Sequence, residues 1–394
     1  MITTRSKLGS PPIKKNLKDK NTSALKIKEM RLVVSSSCPY SCYYCNLYYK
    51  KLLDLKRITF KELHERYKIG NESYGILSKI TGSNLNFNIQ DYRFLFKTLH
   101  NYFGLEDITF TGGDPFLNPD IKKIINLAHS FGLRTTAITK GAPLFKIKNK
   151  NSAKELLGNL SRIIFSLDSL DAKKYAQTNL LLLRPEKAIT FLPQTLRIIN
   201  LLANLGYNIE INSVVGANFK DKQELLNSFI ELKKIIDFCL LNKVKKLKFI
   251  ELDSYDTLGQ PYIENYFKIM KSAKFFKDYK VIKKTNCKIN KNLYSYSKIL
   301  ILKRSLKDGG NMEVIAYRTH CPTNFIRHTK KKKCEFSQGG ELHLDFQGRS
   351  FFCQRDVNFK FISIFTSVKN RDTSGLIDNI LLINQKISKQ KCNF

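Results

Sequence analysis

Cys38, Cys42 and Cys45 fall within eight residues, in the run Cys38-Pro-Tyr-Ser-Cys42-Tyr-Tyr-Cys45, directly after the apolar stretch Leu32-Val33-Val34. Three thiolates are one short of the four that close an ordinary iron–sulfur or zinc site. A [4Fe-4S] cluster held by three cysteines keeps one iron open, and an open iron can bind and reduce a small molecule, whereas a structural site uses all its coordination on the protein. The competing readings are structural thiols or part of a zinc knuckle.

A second constellation is Thr111-Gly112-Gly113-Asp114-Pro115 at the end of an apolar run. Backbone N–H groups beside consecutive glycines can approach an anion or a zwitterion closely, and a neighbouring carboxylate can accept from an ammonium. By themselves two glycines are equally well explained by a strand-to-helix turn. Ser166 and Asp168, taken as isolated residues, read as loop or cap residues.

The elements that must position these groups follow from periodicity. Residues 1–24 hold Pro11, Pro12 and five lysines with few large apolar residues, which reads as a flexible tail. Strands are expected at Met30 to Ser35, Ile108 to Thr111, Leu133 to Thr139, Ile163 to Leu167, Tyr207 to Val215 and Lys246 to Leu252. Between them lie helical patterns, among them Tyr92, Leu95, Phe96, Leu99 and Phe103; Ile121, Ile124, Ile125 and Ala128 after a cap at Asn118-Pro119; and Lys222 to Leu241. Six β-α units with Val/Ile/Leu-rich strands predict a parallel sheet covered by helices, with its chemistry at the C-terminal strand ends. The segment from Tyr48 to Gln90 fits no strand and reads as an insertion, a candidate lid. The core is thus 25–255. Beyond it, 256–394 reads as a smaller α+β domain with strands at Lys298 to Leu302, Met312 to Tyr317 and Leu342 to Phe346, the last turning at Gln347-Gly348 into Phe351-Phe352-Cys353.

Composition narrows the class. The 394 residues, 42% hydrophobic, suffice for a large core in two domains. No apolar run is long enough to span a bilayer, and Met1-Ile2-Thr3-Thr4-Arg5-Ser6-Lys7 does not open a signal peptide, so no membrane partner and a cytoplasmic location are expected. Nine unevenly spaced cysteines suit reduced thiols and metal ligation better than a disulfide framework. A formal charge of +35 admits a nucleic-acid partner, but the lysines are spread along the chain, and the densest run, Lys330 to Lys333, reads as a solvated loop.

The C-x3-C-x2-C spacing, with Tyr44 before the last cysteine, resembles that of the radical S-adenosylmethionine (SAM) enzymes. The resemblance implies a partial (β/α)6 barrel and SAM chelated through its amino and carboxylate groups by the open iron. One electron, from a donor such as flavodoxin or ferredoxin, would then cleave the sulfonium to a 5'-deoxyadenosyl radical. Gly112-Gly113-Asp114-Pro115 stands where such enzymes carry Gly-Gly-Glu-Pro, which holds the methionine amino group, Asp114 replacing the usual Glu. Thr139-Lys140-Gly141 stands in place of Thr-Asn-Gly, and Ser166-Leu167-Asp168 matches the Ser-x-Asp whose polar groups reach the methionine or ribose part of SAM. With Asn212 on the fifth strand, the likeness runs from about Arg31 to Leu252 and is nearest to the GTP 3',8-cyclases of molybdenum cofactor synthesis.

That family also carries a C-terminal auxiliary cluster. Cys321, Cys334 and Cys353, with Cys287 as a further candidate, are expected to hold a second [4Fe-4S] cluster, although their gaps of twelve and eighteen residues differ from the cyclase pattern; ordinary buried thiols are the alternative. Cys239 reads as core and Cys392 as a tail residue. The likeness fails where the cyclases grip a triphosphate with cations: Arg31 is kept, but Asp107, Glu210, Glu341 and His343 fall where cyclase cations stand, and such carboxylates are expected to disfavour GTP. The expected activity is therefore hydrogen abstraction by a radical SAM enzyme, cyclase-like, with a small-molecule or peptide substrate. Maturation of a ribosomally made peptide and nucleic-acid binding around a structural cluster are the alternatives. If the C-terminal cysteines hold a cluster, anaerobic reconstitution should bring iron to about eight atoms per chain, and the Cys38/Cys42/Cys45→Ala triple variant should retain about half. A folded triple variant without iron would remove the second cluster.

Overall fold

The computed structural model describes residues 25–42, 45, 87–180, 183, 185–215, 222–251, 279–284, 298–305, 311–317, 339–344, 349–351 and 362–389. The tail, most of the segment from 48 to 90, Tyr44, and Cys287, Cys321, Cys334, Cys353 and Cys392 lie outside the described residues.

The core alternates as its periodicity predicts. In chain order come β1 (Lys26–Ser35), α1 (Ile89–Phe103), β2 (Asp107–Gly112), α2 (Ile121–Ser130), β3 (Arg134–Thr139), α3 (Lys150–Leu157), β4 (Arg162–Ser166), α4 (Ala172–Asn179), α5 (Pro185–Ile189), α6 (Phe191–Asn204), β5 (Ile209–Val215), α7 (Lys222–Leu241) and β6 (Lys246–Glu251). The strands from β1 to β6 lie side by side in sequence order, all parallel. Right-handed crossovers between strands that never reverse order put every connecting helix on one face, so the sheet curls around the other. α1 shows why the helices form: Asn88 caps it by accepting from the N–H groups of Gln90 and Asp91, Gly104 ends it at φ 69°, and Tyr92, Leu95, Phe96, Leu99 and Phe103 are all buried. For α2 the expected cap shifts. Asp120 is the N-cap residue and makes no side-chain cap bond. Asn118 instead accepts from the Asp120 N–H and donates to the Val34 carbonyl, tying the β2–α2 loop to β1.

The later strands are β7 (Lys280–Lys284), β8 (Lys298–Ser305), β9 (Asn311–Tyr317), β10 (Gly339–Leu344), β11 (Arg349–Phe351) and β12 (Ile362–Ser363), followed by α8 (Phe365–Lys369) and α9 (Thr373–Lys389). They extend the core sheet at both edges: β10 pairs parallel with β1, and β9 pairs parallel with β6, giving one twelve-stranded sheet in the order β12-β11-β10-β1-β2-β3-β4-β5-β6-β9-β8-β7.

The strands are less uniformly apolar than strands buried on both faces require. Ile163, Phe165, Ile209, Ile211, Leu247 and Phe249 form the buried core, whereas the alternate residues Arg162, Glu210, Asn212, Lys246 and Lys248 share the opposite, concave face. This chain thus keeps a polar interior where a filled barrel would stack Val, Ile and Leu. No helix among the described residues is long and apolar enough to cross a membrane.

A charge latch joins the C-terminal helices to α1. Asp91, 2% exposed, accepts from the Asn88 N–H and from Lys369 Nζ at 2.7 Å, and the same ammonium lies over the rings of Phe87 and Phe365, which stack at 5.5 Å. Lys369→Met strands a buried carboxylate and should cost about 1–3 kcal/mol, less than a fully buried pair because the lysine is partly exposed. Urea unfolding checks this: the Lys369→Met/Asp91→Asn double variant should recover part of the loss, and an unchanged midpoint in the single variant would make the latch dispensable.

Candidate active site at the strand ends

The cysteine loop leaves the C-terminal end of β1. Cys42 is buried, Cys38 and Cys45 are partly exposed, and none of the three forms a disulfide. The loop is tied on several sides. The Ser41 N–H donates to the Asn179 carbonyl at the end of α4 (2.9 Å), and the Cys45 N–H to the Cys42 carbonyl (2.9 Å). The Tyr40 hydroxyl donates to the Lys140 carbonyl at the end of β3 (3.0 Å), with its ring set edge-on against Tyr175 and Phe191. Burial pushes the Cys42 thiol up to about 12, opposed by the nearby Lys140 ammonium. Among the described residues no three Cys, His, Asp or Glu side chains stand close enough together to share one metal ion; a [4Fe-4S] cluster instead takes one thiolate per iron. Three reduced cysteines on one backbone-anchored loop are chemically the donor set that a three-cysteine cluster needs.

The double glycine works differently from its expected role. The N–H groups of Gly113 and Asp114 point at the β1 loop and donate to the carbonyls of Ser35 (2.6 Å) and Ser37 (2.7 Å), so they are not offered to an anion. A Cβ on Gly113 would lie 2.0 Å from the Ser37 oxygen, and one on Gly112, at φ +126°, 2.3 Å from the Ser35 oxygen. Only glycines let the two loops pack this closely. Asp114 follows, 1% exposed. One carboxylate oxygen accepts from the Phe116 N–H (3.1 Å), capping the short turn Pro115–Leu117, and the other from the Thr139 hydroxyl (2.6 Å). The short side chain turns back into the protein, bridging β2 to β3.

At the ends of β3 and β4 stands a pair that motif reading left apart. Lys140 Nζ donates to Asp168 Oδ2 at 2.8 Å, the side chains being 10% and 8% exposed. The other Asp168 oxygen accepts from the Val214 N–H of β5 (2.9 Å), so this one carboxylate links three strand ends. The signal was present in the sequence, since a lysine replaces the usual Asn in Thr-Lys-Gly one strand away from the aspartate. Ser166 and Asn212 are register partners on the concave face, and the Asn212 side-chain oxygen is buried without a hydrogen-bond partner among the described residues.

One layer deeper, Glu210 is ringed by cations. Arg162 Nη1 lies 3.1 Å and Lys246 Nζ 3.4 Å from one oxygen, and Lys248 Nζ 3.4 Å from the other. Burial pushes the Glu210 carboxyl up, but Lys248, Arg162 and Lys246 outweigh it and hold the group below the usual range. Burial moves Lys248 down, against the pull of Glu210. Asp107 is likewise matched, forming a two-point ion pair with Arg134 at the N-terminal end of β2. His343, beside Arg31 in the β1–β10 register, is driven well below its usual value by burial and by that arginine.

Burial raises Asp114 to about 6 against the hydrogen bonds it accepts. A carboxyl raised on folding binds more protons in the native than in the unfolded state between about pH 4 and 6, so its contribution to stability falls as pH rises through that window. Asp114→Asn should remove that slope and, above pH 6, gain up to about 3 kcal/mol from the shift itself, reduced by the loss of the Thr139 bond. Chemical denaturation at pH 4.5 and 7.5 checks this; an identical pH dependence in the variant would contradict it.

Residues 32–229 match the Radical SAM superfamily, a span that holds the cysteine loop, the double glycine and the ends of β3, β4 and β5. The S-adenosylmethionine-dependent nucleotide dehydratase of Lacinutrix mariniflava is 33% identical over 137 residues, 33% of this chain and 26% of that protein. The GTP 3',8-cyclase of Staphylococcus carnosus is 24% identical over 204 residues, 50% of this chain and 48% of the cyclase. The chain thus spans about a quarter to a half of the length of these relatives. Among solved structures, Streptococcus suis SuiB bound to its precursor peptide SuiA superposes with a TM-score of 0.53 at 14% identity, covering 92% of this chain and 68% of SuiB, a likeness of fold alone. With half of its residues matched and the cysteine loop inside the match, the chain belongs to the radical SAM superfamily.

Proposed function

We propose that the chain cleaves SAM reductively at a [4Fe-4S] cluster on Cys38, Cys42 and Cys45, and that the resulting 5'-deoxyadenosyl radical takes a hydrogen atom from a nucleotide on the concave face, in GTP 3',8-cyclase-like chemistry. The observation that carries the first half is the anchored loop of three reduced cysteines at the end of β1. When bound, the cluster supplies the electron that breaks the sulfonium bond. The chain's own residues position and shield. Asp114 braces the ends of β2 and β3 behind the SAM side through Phe116 and Thr139, Gly112 and Gly113 allow the close loop packing beside it, and Tyr44, Thr139, Ser166 and Asn212 are assigned to the SAM side, with Asp168 acting there through Lys140. A flavodoxin- or ferredoxin-type donor delivers the electron. Cys321, Cys334 and Cys353 are assigned to an auxiliary cluster, and the chain divides near residue 255 into core and C-terminal parts.

The substrate class rests on charge. Arg162, Lys246 and Lys248, each a quarter or more exposed, outnumber the buried Glu210 and the partly exposed Glu313, which lies 3.8 Å from Lys246. The repulsion that a lone carboxylate would exert on phosphates is therefore reversed here in net charge, and both curated relatives named above are nucleotide enzymes. A peptide substrate is the second reading, favoured by the likeness of fold to SuiB over nearly the whole chain.

Anaerobically reconstituted protein should be brown and form 5'-deoxyadenosine from SAM and reductant, and Cys42→Ala should lose both properties. Nucleoside triphosphates, GTP first, should accelerate the reaction and yield a modified nucleotide by mass spectrometry, with Lys248→Ala lowering nucleotide-dependent turnover about tenfold or more. Robust SAM cleavage by Cys42→Ala would overturn the cluster assignment. Turnover indifferent to nucleotides but raised by a short precursor peptide would move the substrate to the second reading.

A further inference from the structure

Lys140 engages the cysteine loop with both its backbone and its side chain. Its carbonyl accepts from the hydroxyls of Tyr40 (3.0 Å) and Thr195 (3.3 Å). Its ammonium lies 6.0 Å from the centre of the Tyr40 ring and 5.9 Å from that of Tyr175. Tyr40 is two residues before Cys42, and Tyr175 is one turn before Asn179, whose carbonyl lies 3.9 Å from the Cys42 sulfur. The ammonium is thus held among groups that touch the loop, and Asp168 fixes it at 2.8 Å. Both charges are nearly excluded from water, so solvent and salt screen them weakly.

We propose that Lys140 is a positioning residue that sets the reduction potential of the cluster on the cysteine loop, its cation favouring the reduced state, and that Asp168 tempers it. Reduction adds one negative charge to the cluster, and the potential of an iron–sulfur centre follows the net charge and hydrogen bonding around its sulfurs. A cation in a poorly screened setting beside Cys42 stabilises the reduced form more than the oxidised one. Asp168 opposes it with the carboxylate that the ammonium contacts. The neutral Asn usual at this position in the resembling family could not supply the charge. This inference rests on the reading that Cys38, Cys42 and Cys45 carry the cluster, and on no particular substrate.

The test is the midpoint potential of the reconstituted cluster, followed by electron paramagnetic resonance in a redox titration of the full chain without substrate. Lys140→Met should lower the potential, Asp168→Asn should raise it, and Lys140→Arg should stay near the wild type. The double Lys140→Met/Asp168→Asn variant, which leaves no unpaired buried charge and guards against failure to fold, should fall between wild type and Lys140→Met. Opposite shifts are the signature of charge, because a loop merely loosened by either change would move both potentials the same way. Equal potentials across the set, a same-sign shift in both single variants, or a double variant at the wild-type value would each overturn the inference. A wild-type chain that binds no iron would instead overturn the cluster reading on which it stands.

Discussion

The site depends on how closely the loop after β1 packs against the turn after β2. A loop that presents three thiols has no regular secondary structure of its own, so its backbone polar groups must find partners in its neighbours. Here the Ser35 and Ser37 carbonyls take the N–H groups of Gly113 and Asp114 at 2.6 and 2.7 Å, an approach that any Cβ at Gly112 or Gly113 would block. From that contact the remaining links follow outward. Asp114 carries the connection to Thr139 on β3, Lys140 carries it to Asp168 on β4, and Asp168 carries it to the Val214 amide on β5. Four neighbouring strand ends are joined to β1 by hydrogen bonds.

The identity of the second residue in the Thr-Lys-Gly turn changes what this chain of contacts does. An ammonium can reach a carboxylate on the next strand and form a pair whose charges are largely buried, and such pairs favour one arrangement of their surroundings because breaking either half is costly. The two tyrosines that flank it, one from the cysteine loop and one from α4, add cation–π contacts and enclose the ammonium. The same aspartate that would otherwise be open to a ligand is used on both oxygens by the protein.

How far the sequence could be read depended on the range of the interaction. The strands from β1 to β6 and the helix Lys222–Leu241 follow from local periodicity, and their ends were legible to within a few residues, because an amphipathic pattern is written in neighbouring positions. The cysteine spacing and the double glycine were legible for the same reason. What was not legible was pairing across distance. Nothing local in Gly339–Leu344 tells it to lie against β1, or in Asn311–Tyr317 to lie against β6, so two runs that read correctly as strands gave no sign that they would extend one sheet at opposite edges. The double glycine shows a different limit: its residue type announces close approach, but not whether a ligand or another loop is what comes close.

Glu210 carries that limit into electrostatics. Read alone on its strand it is a carboxylate facing a space where phosphates would have to lie, and repulsion is the direct conclusion. The register of β4, β5 and β6 sets Lys246 beside it and Lys248 and Arg162 within ion-pair distance, so the effective charge of that patch belongs to the group rather than to the residue. Three partly exposed cations beside the buried Glu210 and the partly exposed Glu313 leave a net excess of positive charge in the cluster, and Glu210 fixes where that charge stands. In a concave, partly desolvated face, such an arrangement favours an anionic ligand that can share the cations with Glu210, and it disfavours a neutral one that would cover them without compensating their charge.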